Sequence, residues 1–399
     1  MINVMLDVPV IEEKLEQAVD ELSTQDVDLW ITYCRETTEI DEPCLPFLLG
    51  FDVVWPTLIL VSKEGRAAVI IGSHDAANAE SLGLYEVCPY DESPRDHLLE
   101  LVNDIDPGEI AVNYSEDFKI ADGLTHGMYR KLTGYLEGSG YENRLQSSAS
   151  VVCPMRSRKS DTERDRIFKA GTITEELYTE VTEQWDPEWT EQDVARYLHN
   201  GVNERELETA WSWDYCPLVD AGGEAAVGHT IPGDRRVPPG EVLHLDFGVK
   251  YKGYAADLQR LYYYPEDGED PPAGLQDVFD SVRGAIEAAF DVLEPGVKGY
   301  EVDQVAREYI TEQGYPEYRH GLGHNVGRNA HDDGTLLGPR WEHYGQRPYG
   351  TVQSGEIYTL ELGVDTEWGY IGQEDMVKVT SSGAEYFIPP QDSFRILEP

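Results

Sequence analysis

The hydrophobic pattern changes character along the chain. Residues 11–24, IEEKLEQAVDELST, alternate apolar and charged positions at helical spacing and predict an amphipathic helix. The runs VDLWITY (27–33), TLILVS (57–62), AAVIIG (67–72) and EIAVNY (109–114) are short and apolar and predict buried strands, while DGLTHGMYRKLTGYL (122–136) is helical in period. Strands alternating with helices over the first 150 residues predict an α/β domain. The segment GSGYENRLQSSASVVC (138–153) is rich in Gly and Ser and predicts a boundary, giving domains 1–150 and 151–399.

Beyond it, the long helical run that starts near residue 160 carries a capping signature, Ser160 followed by Glu163. A second helix over 190–207 has Thr190 at its start, and further helical runs cover 274–293 and 300–313. Two apolar hairpins flank them, VLHLDFGVKYKGYAADLQRL (242–261) and GEIYTLELGVDTEWGYIGQEDMVKVT (355–380). Each has one acid on each arm: Asp246 and Asp257 in the first, Glu361 and Glu374 in the second. A turn at Tyr251-Lys252 sets Asp246 opposite Asp257, and a turn at Glu367-Trp368 sets Glu361 opposite Glu374. Opposed side chains stand about 5 Å apart, where two buried carboxylates repel unless a cation separates them. Two such hairpins predict an internal pseudo-two-fold and a need for about two divalent cations.

Composition narrows the partners. Against 31 Lys and Arg stand 76 Asp and Glu, a net charge of −45, which repels nucleic acid and anionic membranes. The acids are spread through periodic, aromatic-containing segments, so the reading is a folded protein with a surface suited to high salt rather than a disordered acidic chain. The first residues have no basic region before an apolar run, no stretch reaches the roughly 20 apolar residues of a membrane helix, and the five cysteines are scattered. A cytoplasmic protein with reduced thiols is expected.

Between the hairpins lies YRHGLGHNVGRNAHDD (318–333), with His320, His324 and His331 among closely spaced glycines. The glycines follow GxGxxxG without a clear βαβ unit, which excludes a phosphate loop, and imidazole there suits metal binding or acid–base work.

The ordered set Asp246, Asp257, His324, Glu361 and Glu374 resembles the metallopeptidase family of methionine aminopeptidases, Xaa-Pro aminopeptidases and prolidases. The stretches that carry the resemblance are LDFGVKYKGYAADLQR, HGLGHNVGRNAHD, YTLELG and GQEDMVKVT, with MRSRKSDTERDRIFKAG as the opening helix. DEPCLPFLLGF and DGLTHGMYRKL resemble the N-terminal domain of the prolidase and creatinase branch. The resemblance implies an α+β pita-bread catalytic domain with internal pseudo-two-fold symmetry behind an α/β domain of the creatinase and prolidase type, assembled as a homodimer. It implies two divalent metals, Mn²⁺ first and Co²⁺ or Zn²⁺ as substitutes, with Asp246 on one, His324 and Glu361 on the other, and Asp257 and Glu374 bridging. His331 and His229 would contact substrate, Glu361 would shuttle the proton, and His320 would line a proline-side pocket. The substrate class so implied is a short peptide with proline second, cut by an activated water between the metals.

Two positions depart from that pattern. Leu362 stands where the family often has Pro, and Gly372 where it often has Arg two residues before the last Glu. Arg340 or Arg347, in the long segment 334–356, is the expected replacement for that guanidinium. A creatinase-like hydrolase of another small C–N substrate and a non-catalytic binding protein are the alternative readings. The full ligand set counts against both.

Overall fold

The computed structural model describes residues 6–224 and 230–398, and its chain divides into two compact units, Met1–Arg156 and Ser157–Pro399. The first unit is built on a six-stranded sheet in the order 86–90, 67–72, 57–62, 29–34, 110–112, 145–147. Its central strands are buried at every position and mostly apolar, so both faces of the sheet are covered. Trp30, Ile59, Val61, Val69 and Ile71 belong to one core, and Leu29, Ile31, Leu58, Leu60 and Ile70 to the other. The segment 138–153 contributes the edge strand Leu145–Ser147 and most of the helix Ala149–Ser157.

The second unit opens with the helix Asp161–Gln184, whose Ser160 accepts from the Glu163 amide while Glu163 accepts from the Ser160 amide. The helix Glu191–Glu204 repeats the device with Thr190 and Asp193. The helices Ala273–Val292 and Gly299–Glu312 follow the predicted runs. The main sheet runs in the order 357–366, 369–380, 258–263, 242–247, 218–221. Alternation along its strands separates two faces. Leu243, Leu245, Phe247, Leu258 and Tyr262 pack with the first helix pair, and Leu360, Leu362, Val364, Ile371, Val377 and Val379 with the second. Each half of this unit is therefore a helix pair on the outer face of an acid-bearing hairpin, the internal repeat read from the sequence. The opposite face carries the acids.

The fully buried Arg260 fastens the two hairpins from behind. It donates to the backbone carbonyls of Gln259 and Glu374, each at 2.9 Å, and pairs with Asp375 and Glu175. Among the described residues, no helix is long and apolar enough to cross a membrane.

Candidate metal centre

The second hairpin has the expected register: Glu361 pairs directly with Glu374, and Thr366 pairs with Gly369 around the Glu367-Trp368 turn. The first differs. Tyr251 pairs with Tyr254, so the two-residue turn is Lys252-Gly253, both with left-handed φ (48° and 79°), the conformation that matches the twist of a hairpin. Asp246 is consequently opposite Gln259 and not opposite Asp257. Asp257 is its diagonal neighbour on the same face, two residues away along the facing chain.

Gln259 also pairs with Glu374 on its other side. Four adjacent strands thus set Asp246, Gln259, Glu374 and Glu361 in one row across the sheet. The histidine-bearing segment runs along the outer edge of that row. The Glu361 amide donates to the Leu322 carbonyl, the Thr359 amide to the His324 carbonyl, and the Val326 amide to the Ile357 carbonyl. Gly323 permits this approach, because a Cβ there would stand 1.9 Å from the Thr359 carbonyl oxygen. Behind the segment, Asp303 accepts from the Leu322 amide, and Arg307, paired with Asp303, donates to the Tyr318 and His320 carbonyls.

Three overlapping groups of donor atoms result, each within 4.8 Å: Asp246, Asp257 and Glu374; His324, Glu361 and Glu374; Asp257, His324 and His331. The Nε2 atom of His324 is 3.6 Å from Glu361, 3.7 Å from Glu374 and 3.9 Å from Asp257. Its Nδ1 lies 3.4 Å from the Asn325 carbonyl, which can only accept, so Nδ1 is the nitrogen that carries a hydrogen there while Nε2 faces the acids. The His331 ring stands edge-on to that of His324 with centroids 4.2 Å apart. His320 is outside these groups, its Nδ1 turned to the Gly321 carbonyl, and burial lowers its pKa. His229 lies outside the described residues.

The electrostatics are those of a site built for cations. Burial first, and the neighbouring carboxylates second, push Asp246, Asp257 and Glu374 well above the usual carboxyl range. The same causes bring Glu361 up to about 8, with a Gln259 hydrogen bond working the other way. The Asp246 Oδ1 atom is buried without a hydrogen-bond partner. An acid-rich donor set with the imidazoles of His324 and His331 and an orphaned carboxylate oxygen fits hard to borderline divalent metals.

The model of metallopeptidase family M24 matches residues 165–381, more than half of the chain. The chain belongs to metallopeptidase family M24. An uncharacterized peptidase of Staphylococcus saprophyticus is 31% identical over 246 residues, which cover 59% of this chain and 63% of that relative's length. Among solved structures, the X-Pro aminopeptidase of Thermotoga maritima is similar at a TM-score of 0.71 and 24% identity, covering 96% of this chain and 99% of that one. The Xaa-Pro dipeptidase of Bacillus anthracis is similar at 0.73 and 22%, covering 97% and 100%. The fold is thus the pita-bread fold of the Xaa-Pro peptidases.

Within this M24 site, a polar chain that sequence reasoning left out stands behind the acids. Gln259 Nε2 lies 3.2 Å from Glu361 Oε2 and 3.2 Å from Glu374 Oε2. Its Oε1 is 2.9 Å from His244 Nε2, and His244 Nδ1 is 2.9 Å from Asp220. Burial would lower the His244 pKa, but the hydrogen bond and charge of Asp220, the Gln259 hydrogen bond and the Asp246 charge together outweigh it, and the net shift is upward. This chain also fills the space at Gly372, where a Cβ would meet Tyr370 at 2.4 Å, Gln259 Oε1 at 2.7 Å and His244 Nε2 at 2.9 Å. The expected replacements for an arginine there are engaged elsewhere: Arg340 lies over the Tyr300 ring, and Arg347 pairs with Asp333 and lies over Tyr344. One signal for Gln259 was present in the sequence. It is two residues from Asp257, so strand alternation puts it on the same face.

Proposed function

We propose that the protein is a dinuclear metal-dependent peptidase that removes the residue preceding proline at the N-terminus of short peptides. The observation that carries the proposal is the cluster of buried and half-buried acids with His324 at its edge, whose donor groups overlap at Asp257 and Glu374. In this reading Asp246 serves one metal position, His324 and Glu361 the other, and Asp257 and Glu374 both. Two bound divalent cations, Mn²⁺ by preference, would polarise the scissile carbonyl and make a shared water acidic enough to attack at neutral pH. Glu361 would also shuttle the proton to the leaving amine, the role the family resemblance implies for it. His331, exposed beside the cluster, and His229 would contact the substrate, and His320 would line the proline side. A tertiary amide resists ordinary peptidases, which gives a dedicated enzyme its task.

The same reading includes a homodimer working in a salt-rich cytoplasm, supported by the family resemblance and the net charge of −45. The test is an assay in molar KCl with added Mn²⁺ on an Xaa-Pro dipeptide, an Xaa-Pro-Xaa tripeptide and a proline-free control. Cleavage of a proline substrate that Glu361→Ala abolishes is the expected result, and the preferred length distinguishes dipeptidase from aminopeptidase. No cleavage of any peptide by the metal-loaded protein would overturn the proposal.

A further inference from the structure

The acids of the cluster differ in what holds them. Glu361 and Glu374 each have one oxygen turned to His324, both Oε1, and one turned to the Gln259 amide, both Oε2. Metal binding requires both acids ionised, and an ionised carboxylate only accepts, so in that state the group facing both acids is the Gln259 NH₂, which has one hydrogen for each. The amide oxygen then points at His244 Nε2, which must donate. On the far side the Asp220 carboxylate accepts from His244 Nδ1. Each polarity follows from the one before it, so the amide has a single allowed orientation. The space depends on glycine at 372, because a Cβ there would collide with Tyr370, Gln259 and His244.

We propose that Gln259, held by the Asp220–His244 pair, is a positioning residue that fixes the rotation of the Glu361 and Glu374 carboxylates so that one oxygen of each is presented beside His324. The resemblance implies an arginine at position 372, and here Gln259 and His244 fill the space that Gly372 leaves. The inference rests on the metallopeptidase reading above, and it concerns mainly the metal position formed by His324, Glu361 and Glu374. Supporting groups behind metal ligands typically change affinity by roughly 10- to 100-fold.

The test titrates Mn²⁺ into the metal-stripped full-length protein by calorimetry, with the melting temperature of the metal-free form measured alongside. Gln259→Met keeps the volume and removes both hydrogen bonds. His244→Asn keeps a donor for Asp220 and removes the one for Gln259. We expect two binding steps in the unmodified protein and one of them weakened roughly 10- to 100-fold in Gln259→Met. His244→Asn should weaken the same step less, and the double variant should bind no more weakly than Gln259→Met alone, because His244 acts through Gln259. A purely structural role would lower the melting temperature and leave Mn²⁺ affinity in place.

Both steps within twofold of the unmodified protein in Gln259→Met would overturn the inference and leave the peptidase reading standing. Additive losses in the double variant would also overturn it. Absence of Mn²⁺ binding by the unmodified protein would overturn both. If Gln259→Met does not fold, unchanged affinity in His244→Asn overturns the inference by itself.

Discussion

Asp246, Asp257, Glu361 and Glu374 hold their protons to higher pH in the folded chain than an unfolded carboxyl does. The stability these four groups contribute to the metal-free protein is fully present below the unfolded carboxyl range, about pH 4, and is lost as pH rises toward the Glu361 value of about 8. The melting temperature of the metal-free protein should therefore fall from pH 5 to pH 8. Added Mn²⁺ should restore it most at the upper end, where the carboxylates are free to bind. A metal-free melting temperature that rises over this window would contradict the assignment. Glu361→Gln should lower kcat by at least about 10²-fold, as expected for loss of a proton-transfer group, in a protein that remains folded by circular dichroism. These residues were legible in the sequence because acids inside apolar strands have few explanations. Gln259 was legible only through its alternation with Asp257, since a neutral amide in a strand carries no signal of its own, and Asp220 becomes a partner only once a third strand is placed beside His244.

At the level of elements, two hairpins illustrate how much a turn decides. The Glu367-Trp368 turn was found from the symmetry of its flanking acids. In the first hairpin, Tyr-Lys-Gly can be closed in more than one way, and only positive φ at both Lys252 and Gly253 selects the register that brings Gln259 into the row. The clamp behind the row was equally hidden, because Arg260 reads as an ordinary charge at a strand position. Its guanidinium ties Asp375, Glu175 and two backbone carbonyls. Arg260→Met should cost about 2 kcal/mol by removing the donor to the Gln259 and Glu374 carbonyls and leaving Asp375 to Arg283 and Glu175 to Arg395, measured by denaturant unfolding with metal present. At the start of the same unit, Ser160→Ala should cost about 1 kcal/mol by removing the cap of the helix Asp161–Gln184. A loss below a few tenths of a kcal/mol in Arg260→Met would show that the clamp does not hold the hairpins together.

Over the whole molecule, the net charge of −45 sets the conditions under which the rest operates. Self-repulsion of that size is screened when the Debye length falls to about 3 Å at molar salt. Folding followed by circular dichroism should accordingly be lost on dilution into low-salt buffer and regained in molar KCl. Full structure at about 10 mM salt would remove the argument for a salt-adapted surface.

The central claim is that the buried acids form a two-metal centre that hydrolyses Xaa-Pro bonds. The most direct measurement is release of the first residue from an Xaa-Pro-Xaa tripeptide by metal-stripped protein in molar KCl, followed as Mn²⁺ is returned. We expect no release without metal and a rise that saturates near two equivalents, matching the overlapping donor groups around Asp257 and Glu374. Full turnover in the metal-free protein, or none after two equivalents have bound, would contradict it.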